Sequence, residues 1–124
     1  MEIFSSFSLY YNKYIYKLMG YVYLIHDVDN DIYKIGVTRA QNSKRLMALQ
    51  TGNGSDLRVL HMYECEYPFR LETMLHKRYI NNRVKNEWFS LSVLEVINFK
   101  DTCDRLNQTI LIMKDNPYFA KNLK

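Results

Sequence analysis

Two runs of strand-forming residues, separated by a short acidic turn, constrain this chain more than any other feature of its sequence. Residues 21–25 read YVYLI, and residues 32–37 read IYKIGV. β-Branched and aromatic residues are typical of strands, and the cluster from Asp27 to Asp31 favours a turn. Two strands joined by so short a link pair antiparallel. The sequence therefore predicts a β-hairpin over residues 21–37.

Downstream of the hairpin, the sequence predicts two helices with a strand between them. Apolar spacing predicts a short helix over 43–51, and strand-forming residues predict a third strand over 57–66. Pro68 suits the first position of a helix, because a proline has no N–H to leave unpaired there. The apolar spacing after Pro68 extends this helix to about residue 82.

A capping box marks the start of the last predicted helix. Ser92 and Glu95 have the spacing at which each side chain pairs with the backbone N–H of the other. The helix is expected from Val93 to about Lys114, and Pro117 follows its end. The three strands and their helices predict an α+β fold, in which helices flank a small three-stranded antiparallel sheet.

Length and composition predict a single folded unit. The chain has 124 residues, of which 48% are hydrophobic and 24% charged, so it resembles neither a disordered nor a collagen-like sequence. We expect a tyrosine-rich arm over 1–19, a main domain over 20–91, and a C-terminal helix and tail over 92–124 packed on that domain. Trp88, the only tryptophan, is expected in the core.

The cellular location is predicted from what the sequence lacks. No run of about 18 apolar residues occurs, which argues against a transmembrane helix. Residues 1–19 have neither the basic start nor the small-residue cleavage site of a signal peptide. Cys65 and Cys103 are too few for a disulfide framework and fit a reducing compartment. We therefore expect a protein without membrane association that works inside the cell, in the cytoplasm or in the nucleus of a host cell.

Basic residues concentrate in two segments of a chain whose net charge is +4. Residues 34–58 contain five lysines and arginines against one aspartate, and residues 70–88 contain five against two glutamates. Such clusters, with polar and aromatic residues between the charges, suit a nucleic-acid phosphate backbone. Solvated charges on a mildly basic surface are the alternative, and charge alone does not decide between the two.

The helix predicted after residue 68 has a polar stripe beside its apolar face. Four chemically different side chains form it: Glu72, His76, Tyr79 and Arg83. Their intervals of four, three and four residues place them in one row along the helix. Glu72 can bind a hard divalent cation such as magnesium, and His76 can join it, contact a phosphate or donate a hydrogen bond. An i, i+4 pair on a solvated helix face is the alternative.

An ordered set of short motifs resembles the GIY-YIG nuclease family. The set comprises YVYLI at 21–25, YKIGVT at 33–38, Arg45, LETMLH at 71–76 and EWF at 87–89. The set is most similar to a compact, mostly phage and viral branch, in which YIG reads KIG and EWF follows. The resemblance covers about residues 20–91. It implies a three-stranded antiparallel sheet flanked by helices, which is the element order predicted above.

The resemblance implies a metal-dependent endonuclease that hydrolyses phosphodiester bonds in DNA. Tyr23 stands at the tyrosine of GIY and would accept a proton from the attacking water or orient it. Lys34 stands at the first tyrosine of YIG and would supply a positive field or act as the base itself. Arg45 would stabilise the transition state, and Glu72 would bind Mg²⁺ or Mn²⁺.

The resemblance and the charge pattern also imply a nucleic-acid surface. Its expected members are Arg39, Lys44, His76, Tyr79, Arg83, Lys85 and Asn86. Either Asn86 or Glu87 occupies the family's later polar position. DNA is the expected partner, and RNA is the other nucleic acid that such a surface suits. Specific recognition needs about 1,000 Å² of protein surface, so a homodimer or a protein partner would supply specificity to so small a domain.

Two departures from the family pattern keep other functions open. Tyr21 occupies the glycine position of GIY, and Leu49 stands where several members have a histidine. The alternative function is therefore a catalytically silent nucleic-acid-binding module of the same fold. A small interaction protein, whose basic faces are incidental, is the third hypothesis.

Overall fold

The structure, a computed structural model, describes residues 19–39 and 56–120. The elements of this part of the chain are β1 (Gly20–Asp27), β2 (Ile32–Thr38), β3 (Leu57–Cys65), α1 (Pro68–Arg78), a 3₁₀ turn (Ile80–Asn82), β4 (Arg83–Lys85), β5 (Trp88–Phe89), α2 (Val93–Ile97), α3 (Phe99–Met113) and α4 (Pro117–Ala120). The α+β class expected from the sequence is confirmed. The helix expected over 43–51 lies outside the described residues.

The first two strands form the hairpin that the sequence predicts. β1 and β2 pair antiparallel along their whole length, from Tyr21 opposite Thr38 to Asp27 opposite Ile32. In the turn, the Asp27 carboxylate accepts hydrogen bonds from the backbone N–H and the side-chain amide of Asn30, at 3.2 and 2.9 Å. These bonds explain why an aspartate-rich link closes the hairpin, since aspartate pairs readily with nearby backbone groups.

The sheet has five strands in the described residues, where the sequence predicted three. Their order is β3-β1-β2-β5-β4, and each neighbouring pair is antiparallel. The two strands that the sequence analysis missed, β4 and β5, contain only three and two residues. Segments this short show no alternation of polar and apolar residues, so their pattern gives no strand signal.

The two faces of the sheet differ in what covers them. One face packs with α1 and α3 in the main core, whose fully buried members include Val22, Leu24, Ile35, Leu71, Leu75, Phe89, Phe99 and Ile110. The opposite face has a smaller cluster of Tyr23, Ile25 and Leu57. Trp88, expected in the core, packs against this smaller core cluster and is half-buried.

The helices after β3 begin as predicted but end earlier. α1 begins at Pro68 and stops at Arg78, and the 3₁₀ turn replaces its expected last turn. The capping box of Ser92 and Glu95 is confirmed, with both reciprocal hydrogen bonds present at 3.1 and 2.9 Å. The single helix predicted over 93–114 is wrong, because it is broken at Asn98. Asparagine has a low helix propensity, which accounts for a break at this position.

Among residues 19–39 and 56–120, no helix has both the length and the apolar character needed to cross a bilayer.

The ring of Tyr23 lies against the backbone of the neighbouring strand. Tyr23 on β1 is directly opposite Gly36 on β2. A β-carbon added to Gly36 would lie 2.9 Å from Cε1 of Tyr23, and closer still to Cζ and the phenolic oxygen. Only a glycine therefore leaves room for the ring at this point.

Replacing Gly36 with alanine is expected to destabilise the protein by about 1–3 kcal/mol, because the added methyl group displaces the Tyr23 ring. Thermal or denaturant unfolding measures this cost. In a Tyr23→Ala background the same replacement costs less, since the ring that it strikes is absent. An equal cost in both backgrounds would contradict the contact.

Candidate functional site

Charged side chains meet where β2, β5 and α1 come together. The Nζ atom of Lys34 on β2 lies 3.7 Å from Oε2 of Glu87, and the two side chains are 14% and 44% exposed. Lys34 also pairs directly with Trp88 across the β2–β5 ladder. The lysine is therefore held at a mostly covered position on the sheet, with a carboxylate at its charged end.

A tight turn places Glu87 beside Lys34. Asn86 and Glu87 are the two residues that link β4 to β5. Asn86 has a φ of 48°, in the left-handed region that asparagine tolerates better than most residues. The backbone carbonyl of Glu87 accepts a hydrogen bond of 3.1 Å from the N–H of Ile35. The backbone of Glu87 is thus fixed to the strand that holds Lys34.

Glu72 lies on α1, which packs on the main-core face of the sheet, whereas Lys34 belongs to the opposite face. The Glu72 side chain is half-buried, and burial raises the pKa of its carboxyl above the ordinary value of 4.5. The charge of Glu87 raises the same pKa further, whereas His76 and Lys34 lower it. Glu72 is therefore within electrostatic range of all three groups. The sequence analysis assigned one of them, Lys34, to the same site as Glu72.

His76 is oriented by the backbone of β2. Its Nε2 lies 3.0 Å from the carbonyl oxygen of Ile35, and its ring centroid is 5.0 Å from that of Phe89. A carbonyl oxygen only accepts hydrogen bonds, so Nε2–H is the donor. The remaining nitrogen, Nδ1, is then the atom of this ring that can exchange a proton with a ligand.

Tyr23 lies on the same face of the sheet as Lys34. Tyr23 is opposite Gly36, and Lys34 is opposite Ile25, so Tyr23 and Lys34 are diagonal neighbours in the register. Diagonal neighbours on one face are separated by about 7–8 Å. The Tyr23 side chain is only 2% exposed and packs in the smaller cluster. The structure thus places the phenol and the ammonium on one surface, with the phenol almost covered.

The residues expected on a nucleic-acid surface divide into two groups. Arg83, Lys85 and Asn86 are exposed on β4 and its turn, and Arg39 is exposed after β2. Tyr79 is instead 4% exposed and belongs to the main core, where its ring contacts Phe89 at 6.5 Å between centroids. Its expected role on a nucleic-acid surface is wrong, because a buried ring cannot stack on a base.

Two of the predicted site residues, Lys44 and Arg45, lie outside the described residues. Glu87 is one of the two residues, with Asn86, that the sequence analysis considered for the family's later polar position. In the structure its carboxylate lies beside Lys34. The strand pairing that brings Glu87 to Lys34 involves the two-residue strand β5. No periodicity marks so short a strand, so the signal that points to Glu87 is its contact in the folded chain.

Glu72 is the residue of the site best suited to hold a metal ion. Within the described ranges, no three histidine, cysteine, aspartate or glutamate side chains group together as ligands. Mg²⁺ commonly binds one or two carboxylates and completes its coordination with water and substrate phosphate oxygens. A half-buried carboxylate with a raised pKa fits this requirement, because a nearby cation offsets the cost of its buried charge.

The fold and the site define a small α+β domain, with a charged site at the junction of its sheet and its first described helix. The chain belongs to the family of the T5orf172 domain, whose profile matches residues 20–104. This domain occurs in phage and bacterial proteins that are often linked to nuclease-like activity. Searches of curated proteins and of solved structures return no significant match.

Replacing Glu72 with glutamine is expected to raise the melting temperature of the metal-free protein at pH 7. The raised pKa means that folding favours the protonated carboxyl. Its contribution to stability is full below the unfolded pKa of about 4.5 and is lost as the pH rises through the folded pKa. Glutamine does not ionise, so the gain is expected at pH 7 and absent near pH 4.

Thermal unfolding in a chelator at both pH values measures this gain. Glu64→Gln, an exposed carboxylate on β3, is the control for the change in net charge. A gain of equal size at pH 4 and pH 7 would contradict the buried, disfavoured charge at Glu72.

Proposed function

We propose that this protein is a metal-dependent endonuclease that hydrolyses phosphodiester bonds in DNA inside the cell. The observations that support this proposal most are the ion pair of Lys34 and Glu87 and the half-buried carboxyl of Glu72, whose pKa responds to both of these charges. Membership of a family linked to nuclease-like activity supports it from an independent direction.

Each side chain has a separate task in this proposal. Lys34 presents a positive charge to the phosphate, and Tyr23 on the same face orients the attacking water or accepts its proton. Arg45 neutralises part of the charge that develops in the transition state. Glu72 holds Mg²⁺ or Mn²⁺, and such an ion, when bound, supplies Lewis-acid stabilisation of the phosphate oxygens.

The pair of Lys34 and Glu72 has the electrostatic character that this chemistry requires. Both side chains lie where solvent is partly excluded, and charges interact more strongly there than in bulk water. A phosphodiester brings a negative charge to the ammonium. A divalent cation at Glu72 offsets the carboxylate charge that burial disfavours. Substrate and metal are each expected to bind beside a group of opposite charge.

The exposed basic residues near this site suit the flanking phosphates of the DNA. Arg83 and Lys85 lie on β4, and Asn86 follows them in the turn that ends at Glu87. Arg39 lies elsewhere, with its guanidinium 5.3 Å from the centre of the Phe69 ring. His76, half-buried on α1, is the remaining member of this proposed surface. We propose that a homodimer or a protein partner adds sequence specificity, since specific recognition needs about 1,000 Å² of protein surface.

Purified protein is expected to nick supercoiled plasmid in the presence of Mg²⁺ or Mn²⁺ and not in a chelator. Glu72→Ala should abolish nicking, and Tyr23→Phe should slow it by about 100-fold, because general acid–base groups contribute roughly 10²–10⁴-fold. Gel separation of supercoiled, nicked and linear plasmid measures each rate.

Asp115→Asn, an exposed change after α3, is the control and should cut as the wild type does. Salt-sensitive DNA binding without any cutting would instead assign the silent binding module. Cutting that survives Glu72→Ala would show that Glu72 does not hold the metal.

Lys85→Ala is expected to weaken DNA binding about equally for all sequences. Loss of one phosphate contact lowers the slope of log affinity against log salt by about 1. Fluorescence anisotropy of a labelled duplex, titrated at several salt concentrations, measures the slope. Lys114→Ala, a lysine at the end of α3, is the matched control and should leave the slope unchanged. An unchanged slope for Lys85→Ala would remove Lys85 from the interface.

A further inference from the structure

We propose that Glu87 is a positioning residue that holds the ammonium group of Lys34 in place. The effect of Glu87 on DNA cleavage rests on the nuclease function proposed above. The placement of Lys34 by Glu87 does not, because it is a property of the folded protein without substrate.

The backbone of Glu87 is fixed relative to Lys34. The next residue, Trp88, pairs with Lys34 across the β2–β5 ladder, and the Glu87 carbonyl accepts the hydrogen bond from Ile35 N–H. The strand pairing and the hydrogen bond together fix the backbone of Glu87 relative to that of Lys34. The distance from the carboxylate to Nζ therefore depends only on the side-chain torsions of the two residues.

The side chain of Lys34 must lose conformational entropy to hold its ammonium in one place. A lysine side chain has four methylene groups and loses about 2 kcal/mol of rotamer entropy when it is fully ordered. The carboxylate of Glu87 lies 3.7 Å from Nζ, and it is the acidic partner of Lys34 among the ion pairs of the described residues. The Lys34 side chain is only 14% exposed, so removal of this partner would leave its charge poorly compensated.

Lys34 also lies on a covered face of the sheet. Its strand partners are Ile25, a member of the smaller cluster, and Trp88, which packs against that cluster. The ammonium therefore has the Glu87 carboxylate beside it at a position that is mostly shielded from water. Lys34 is thus placed as a fixed positive charge. Of the two roles that the sequence left open for Lys34, this arrangement favours the cation over the base.

A double-mutant cycle tests whether Glu87 acts through Lys34. The variants are Glu87→Gln, Glu87→Asp, Lys34→Met and the double variant Glu87→Gln with Lys34→Met. Single-turnover nicking gives the rate, and titration of DNA gives the half-saturating concentration. Glu87→Gln keeps the shape of the side chain and removes its charge, whereas Glu87→Asp keeps the charge. Asp115→Asn again controls for the loss of an exposed carboxylate.

We expect Glu87→Gln to lower the cleavage rate about tenfold, with little change in the half-saturating DNA concentration. Glu87→Asp should restore most of the rate, within about threefold of the wild type, because the charge is kept. In the Lys34→Met background, Glu87→Gln should have no further effect. Independent, multiplicative losses would overturn the proposal and would indicate that Glu87 contacts the metal or substrate itself.

A second readout does not depend on cleavage. In an NMR spectrum of the wild type, the two Hε protons of an ordered Lys34 should be inequivalent, and Lys34→Met identifies their signal by its disappearance. Glu87→Gln should merge the two signals as the side chain becomes mobile, and Glu87→Asp should keep them apart. Signals that stay apart in Glu87→Gln would overturn the proposal. If the wild type does not cut DNA, the nuclease function fails and this measurement still decides the role of Glu87.

Discussion

The close approach of the Tyr23 ring to the backbone at Gly36 determines how the two central strands align. Because the ring occupies the space that any β-carbon would need, β1 and β2 meet with Tyr23 opposite the glycine. A slip of one residue would turn every side chain of β2 to the other face. The register that the contact favours also places Lys34 on the face of Tyr23 and opposite Trp88. The geometry of the site therefore begins with one aromatic side chain over one glycine.

The charged site depends equally on the way α1 is packed. Leu71 and Leu75 are fully buried against the sheet, and each precedes a polar residue of the site, Glu72 or His76. Successive residues of a helix are separated by about 100° around its axis, so the polar pair lies at the border of the buried face. Packing of the two leucines thus fixes the carboxylate and the imidazole at the edge of the core. Burial there makes the charge of Glu72 unfavourable, and active sites commonly combine local instability with function in this way.

The sequence predicted the parts of the fold that have strong local signals. Strand-forming runs on both sides of an aspartate-rich turn predicted the hairpin, and the Ser92–Glu95 pair predicted the start of α2. The missed elements lack such signals: β4 and β5 are too short to alternate, and Asn98 breaks a helix whose spacing is continuous across it. Local propensity also cannot tell that Tyr79 turns into the core, because its spacing from Glu72 and His76 fits the polar stripe equally well.

The residues of the site also differ in whether the sequence alone predicts their positions. The resemblance to a nuclease family assigned roles to Lys34 and Glu72, and in the structure the charge of Lys34 lowers the pKa of the Glu72 carboxyl. Glu87 is different, because its proximity to Lys34 arises from a ladder of two residues and a turn in which Asn86 has a positive φ. Proximity of this kind depends on the tertiary structure: the EWF motif at 87–89 marks Glu87 in the sequence, but the motif does not report its contact with Lys34.

The location of Trp88 allows the site to be followed by intrinsic fluorescence. Trp88 is the only tryptophan in the chain, it is half-buried in the cluster that contains Tyr23, and it is the strand partner of Lys34. The intrinsic fluorescence of the protein excited at the red edge of its absorption therefore originates from one indole ring beside the charged groups. An emission change on adding metal or DNA reports on that neighbourhood without a label, and the protein carries its own optical probe at the place where its chemistry is proposed.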